Sequence, residues 1–299
     1  MKLYSSLLLL LLIVPVKGFS SSKRDQINVL TYNVWMIPLQ RKMAKARAEA
    51  IGKTIGKYDI IFLQEAFTAG VRKTIATHAK KKTNIINRYQ TRVAYKLNSG
   101  KFTLGKFEIV KSTFRRFRNC GGIQCMSGKG VLHVQVKLPS GQLVDTFNTH
   151  LQAFEKDAYI RKWQLIEAMA FIDQVNNGDL PIIFAGDFNV IAESNEYPLL
   201  RDMLFDYRDV WFETNPTKSG YTWNPEINPW ATFDYAESAL LQRLDYIFVR
   251  DGKLASWKIK SSKLSFNTEK KWFGVFKRPN YIFASDHFGV SAKLILNKH

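Results

Sequence analysis

The chain has 299 residues, 46% of them hydrophobic, and a formal net charge of +19. That length allows one large α/β domain or two small ones, with apolar residues enough for a sizeable core. Outside the N-terminal stretch no segment approaches ~18 consecutive apolar residues, so no helical membrane span is expected beyond it. The positive excess favours polyanionic partners, nucleic acid or an anionic membrane surface, without choosing between them.

The opening stretch "MKLYSSLLLLLLIVPVKG" carries Lys2, an apolar run over 7–14 and modest residues up to Gly18. This is the pattern of a secretory signal peptide, so residues 1–18 are expected to be removed and 19–299 to form a single exported domain. Two cysteines, Cys120 and Cys125 in "CGGIQC", are expected to close a small disulfide loop, since two thiols fall short of a four-ligand metal site.

After the leader, β-branched and aromatic content predicts strands at 27–33, 58–65, 92–95, 113–117, 130–138, 142–150, 181–186, 243–249 and 289–296. Pro139-Ser140-Gly141 reads as a hairpin turn between two of them. Helices are predicted over 42–55 and over 157–175, where Ile160, Trp163, Ile166, Ala170 and Phe171 recur at helical spacing. Many strands, several in hairpins, with two substantial helices predict a layered α/β sandwich.

Polar residues terminate these apolar runs: Asn33, Glu65, His150, Asp187 with Asn189, Asp245, and Asp286 with His287. Singly each reads as a turn, a cap or a satisfied core group. Together they suggest one crevice at the edge of the sheets. Carboxylate and amide oxygens are hard ligands suited to Mg²⁺. Two histidines can divide proton-transfer roles near neutral pH. The set describes metal-assisted attack of water on a phosphate ester.

The segments "NVLTYNVW", "DIIFLQEAF", "NTHLQA", "IFAGDFNV", "LDYIFV" and "SDHFGVSA", in this order, resemble the endonuclease/exonuclease/phosphatase superfamily over roughly residues 27–296. The resemblance implies a deoxyribonuclease-like four-layered sandwich of two mixed β-sheets flanked by helices. It implies Mg²⁺-dependent hydrolysis of phosphate esters, with the metal on Glu65 and Asn33 and Asp286 as a metal-site or supporting residue. By the same resemblance His287 is the general base with Asp245 beside it. Asp187 and Asn189 place water and phosphate, and His150 is the acid or transition-state stabiliser.

Within the superfamily, "THLQA" and "NVWMIP" look like bacterial sphingomyelinase C, which implies sphingomyelin in a membrane surface as substrate. "NTEKKWFGVFKRPNYIFASDH" (267–287) resembles that group's membrane-docking hairpin, with Trp272 and Phe273 expected at its tip. A secreted deoxyribonuclease-like nuclease is the rival reading, because the charge also suits DNA. A phospholipase C of broader range and a catalytically dead membrane-binding toxin are further alternatives. Lys129, in the Gly-rich run before a strand, reads as a phosphate contact or, more commonly, as a surface lysine.

Overall fold

The computed structural model describes residues 25–38, 43–79, 84–86, 98–232, 240–273 and 279–299. The leader, the strand expected at 92–95, and Phe276, Lys277 and Arg278 lie outside them.

Two six-stranded mixed sheets form the centre. The first holds β1 (Asp25–Asn33), β2 (Ile60–Gln64), β3 (Asn84–Ile86), β4 (Phe102–Gly105), β11 (Ala255–Ser265) and β14 (Gly289–Lys298), in the order β11-β14-β1-β2-β4-β3. The second holds β5 (Glu108–Arg116), β6 (Gly130–Lys137), β7 (Leu143–His150), β8 (Ile182–Asp187), β9 (Arg208–Asp209) and β10 (Asp245–Arg250), in the order β5-β6-β7-β8-β10-β9. Strands β12 (Lys270–Phe273) and β13 (Pro279–Ile282) pair as a separate hairpin.

Strand alternation explains the layers, because successive side chains point to opposite faces. Ile27 and Val29 of β1, Ile60 and Phe62 of β2, Ile183 and Ala185 of β8, and Ile247 and Val249 of β10 point between the sheets and form one core. The opposite face of the first sheet is covered by α1 (Ala44–Ile55) and α2 (Ala69–His78). The opposite face of the second is covered by α3 (Ala158–Val175) and α4 (Glu196–Met203), with Phe147, Phe184 and Phe248 packed beneath. A short α5 (Val210–Thr214) adds Trp211 to the central core. The result is the expected four-layered sandwich, helix–sheet–sheet–helix.

Two local expectations change. Trp163 and Ile166 of α3 face outward, 53% and 37% exposed, while Ile160, Leu165, Ala168 and Phe171 are buried. Helices α2 and α4 and the long edge strand β11 were not among the predicted elements; β11 is lysine- and serine-rich, and its sequence lacks a clean apolar run. Trp272 and Phe273 occupy the last two paired positions of β12, opposite Asn280 and Pro279.

Candidate active site

The same alternation that builds the central core delivers its last member on each strand to the site. Asn33 ends β1, Asp187 ends β8, and Asp245 begins β10 directly opposite Asp187 in the ladder. His150 ends β7 in register with Asp187. That register needs a glycine. A Cβ on Gly186, at φ 154°, would sit 2.1 Å from the Thr149 carbonyl oxygen. Glu65 follows Gln64, which bonds across the sheets to Asn148, so simple alternation would turn Glu65 away. A left-handed φ of 59° at Glu65 re-aims it into the crevice. Asn189 also takes a left-handed φ, 51°. Non-glycine residues held there cluster at functional sites.

The side chains converge. His150 Nε2 lies 4.0 Å from Glu65 Oε1 and 3.5 Å from Asp187 Oδ2, and His287 Nε2 lies 3.9 Å from the same Asp187 oxygen. His287 Nδ1 bonds Asp245 Oδ2 at 2.8 Å. Asn33 Nδ2 donates to Asp187 Oδ2 at 2.9 Å while its Oδ1 accepts from the Trp35 amide, so Asn33 positions Asp187 as well as facing the crevice. Asp187 Oδ1 accepts the Asn189 amide, and Asn189 Nδ2 donates to the Leu151 carbonyl. Asp286 accepts from Ser285 Oγ.

Segments that the motifs do not mark hold these residues in place. The Thr222 hydroxyl accepts the amides of Leu244 and Asp245, and its carbonyl accepts the Phe288 amide at 2.6 Å. Trp223 meets the His287 ring edge-on at 5.3 Å. Asn228 donates to the carbonyls of Ser285 and Asp286. Arg47, fully buried on α1, donates to the Trp35 and Ala284 carbonyls and so ties the ends of two site loops together. Lys129 is 5% exposed, not a surface lysine, and its ammonium donates to the Leu151 carbonyl. The sequence signal for it was its place between glycines at the mouth of β6.

Charge is concentrated here and poorly hydrated. Burial, then the neighbouring Asp286, pushes Glu65 up to about 7. Burial, then Asp245, pushes Asp187 up to about 6. Burial lowers Lys129 to about 8 against the pull of Asp187 and Glu65. Burial also lowers His150, reinforced by Lys129 and Lys101, to well below the ordinary histidine range. For His287 burial acts downward too, but the Asp245 and Asp187 carboxylates outweigh it and hold the imidazole well above that range.

Two buried carboxylate oxygens, Glu65 Oε2 and Asp245 Oδ1, have no hydrogen-bond partner. An unpartnered buried carboxylate is costly, and a divalent cation is a natural remedy. Ligand atoms of Asp187, Asp245 and His287 all lie within 4.8 Å of one another. Glu65, with an unpartnered oxygen, and the neighbouring Asp286 offer further hard carboxylate oxygens in the same crevice. The donors present therefore fit a hard divalent cation.

The chain has known relatives. The model of the endonuclease/exonuclease/phosphatase family matches residues 30–287. The chain belongs to that family. It is 28% identical over 288 residues to a Drosophila melanogaster protein named "Putative neutral sphingomyelinase", covering 91% of this chain and 61% of that one. It is 27% identical over 258 residues to sphingomyelinase C 2 of Leptospira interrogans, covering 77% of this chain and 40% of that one. This chain thus spans less than two thirds of the length of either relative. The fold matches a Staphylococcus aureus beta toxin variant solved with bound magnesium ions at a TM-score of 0.74 and 21% identity, covering 90% of this chain and 99% of that one.

Proposed function

We propose that this protein is a secreted, Mg²⁺-dependent phosphodiesterase that hydrolyses sphingomyelin to ceramide and phosphocholine. The observation that carries the reading is the unbroken contact chain Glu65–His150–Asp187–His287–Asp245, every link 4.0 Å or shorter. The sphingomyelinase names of the two relatives supply the substrate class.

In this reading Glu65, Asn33 and Asp286 would hold the cation, which supplies positive charge to the phosphoryl oxygens. Asp187 and Asn189 orient a water in line with the scissile bond. His287 Nε2 accepts that water's proton as a P–O bond forms, and Asp245 fixes the tautomer and stabilises the imidazolium. A general base must be neutral at working pH, and positive charge near Glu65 and Asp187 opposes the carboxylates that raise His287. His150, kept neutral, donates an N–H hydrogen bond to the phosphoryl or leaving oxygen as the bond to ceramide breaks. Lys129 supports the same negative charge. The ceramide oxygen takes a proton and His287 returns its own to solvent, so one water adds across one P–O bond.

The deciding test incubates the purified protein and Mg²⁺ with sphingomyelin vesicles or with plasmid DNA. Phosphocholine release without nicking is expected. Nicking without phosphocholine would assign the site to nucleic acid instead.

A further inference from the structure

Helix α3 is apolar on two opposite sides. Its inner side packs on the second sheet. Its outer side presents Tyr159, Trp163 and Ile166, spaced four and three residues apart and 67%, 53% and 37% exposed. A helix that merely covers a sheet carries polar residues there. Beside this stripe an apolar groove of about 440 Å³ runs between α3 and α4, with Leu165 and Met203 in its walls and Leu199, 56% exposed, at its mouth. That volume falls within the roughly 300–1,000 Å³ typical of small-molecule sites.

The groove borders the segments that carry the catalytic crevice. Leu151 and Val190 line it, and each directly follows a site residue, His150 and Asn189. The Leu151 carbonyl, on the crevice side, is the acceptor for both Asn189 and Lys129. The buried polar pair in the lining satisfies itself, with Arg161 bonded to both carboxylate oxygens of Glu196 at 2.7 Å.

We propose that this groove holds one hydrocarbon chain of a bilayer lipid, with Tyr159, Trp163 and Leu199 entering the interfacial layer; this rests on the lipid reading of the active site. A peptide in the groove would need partners for its backbone N–H and C=O groups, whereas a hydrocarbon chain needs none. Tyrosine and tryptophan are the side chains that settle at membrane interfaces. Exposed Lys162 lies in the lining, opposed there by Asp202, and the chain's charge of +19 suits lipid phosphates. This contact lies on the second sheet's side of the molecule.

The test uses phosphatidylcholine vesicles with brominated chains, which quench tryptophan inserted among them. Quenching of the wild-type protein is expected to exceed that of W163F. The doubly substituted Tyr159→Ser, Leu199→Ser protein is expected to partition about tenfold more weakly onto sphingomyelin–phosphatidylcholine vesicles. Its turnover of soluble p-nitrophenylphosphorylcholine should be unchanged. Both side chains are already exposed, so the thermal melt should hold. Equal partition of the double variant, or equal quenching of W163F, overturns the proposal. So does a vesicle-free self-association that these substitutions weaken, which would assign the face to a second copy. Failure of the wild type to cleave detergent-dispersed sphingomyelin would remove the lipid reading alone, because quenching of Trp163 reports insertion of this face independently of turnover.

Discussion

Two buried histidine–aspartate pairs share the same 2.8 Å bond: His133–Asp145 within the second sheet, and His287–Asp245, which joins the start of β10 to the loop before β14 of the first sheet. Asp145 sits near the start of β7, five residues from His150 and on the opposite face, so the two clusters are separated by ~16 Å of strand and a layer of core. Around Asp145 every carboxylate contact is supplied by the protein: Oδ1 accepts from His133 and Gln135, and Oδ2 accepts from Asn176. Burial pushes Asp145 up, but these donors overcome it and hold the carboxyl below its ordinary range. Around Asp245 one oxygen is left bare, Glu65 has another, and Glu65 and Asp187 are pushed up to about 7 and about 6. The same pair is structural where protein donors fill both carboxylate oxygens, even though His133 Nδ1 has no partner. It becomes chemical where the surrounding acceptors await a cation and a substrate.

The strongest way to break this comparison is to neutralise each aspartate. Asp245→Asn, like His287→Ala or His150→Ala, should lower kcat by about 10²–10⁴ with little loss of melting temperature. Asp145→Asn should do the reverse, costing about 3–5 kcal/mol of stability because a buried partner is left uncompensated, with turnover retained by the folded fraction. Chemical denaturation alongside steady-state kinetics separates the two. A stability loss in both variants would erase the distinction. Lys129→Met belongs with the site residues, with an expected drop of about 10²-fold in kcat and an unchanged melt.

Stability against pH sharpens the same contrast. A carboxyl whose folded pKa is raised binds more protons folded than unfolded, so it withdraws stability as pH rises. For Glu65 and Asp187 in metal-free protein the window runs from their unfolded values near ~4 up to about 7 and about 6. Asp145 acts oppositely: its contribution is present above ~4 and is lost on acidification through its depressed folded value. Melting temperatures measured from pH 4 to 8 in chelator should therefore decline toward neutrality, and added Mg²⁺ should flatten that decline. Nuclear magnetic resonance titration of His287 should show its pKa fall when Mg²⁺ is added. No change would place the cation elsewhere.

What the sequence disclosed follows from where the chemistry lies. Glu65, Asp187, Asp245 and His287 end or begin apolar runs, so a linear reading finds them and the sandwich they edge. Lys129 stays ambiguous, phosphate contact or surface lysine, because a lysine between glycines has the local signature of a surface turn, and only the return of β7 beside β6 buries it. Arg47 and Thr222 escape for a related reason: each acts on carbonyls or amides supplied by distant segments. The outward stripe of α3 was hidden because its apolar residues on two faces blur the periodicity that marks a buried side.

The smallest effect expected concerns the disulfide of Cys120 and Cys125. Its loop is bonded to the segment after His150. Gln152 accepts from the Gly121 amide and donates to the Gly121 carbonyl, while Gln124 accepts from the Ala153 amide. Replacing both cysteines by serine should cost ~2 kcal/mol by chain entropy for so short a loop. If the loop only staples the chain, kcat should not move. If it also steadies the carbonyl of Leu151, which holds Lys129 and Asn189, kcat should fall severalfold at a temperature where the protein is still fully folded. In that case the brace extends the completeness seen around Asp145 up to the border of the catalytic cluster, and the open valences are confined to the carboxylates themselves.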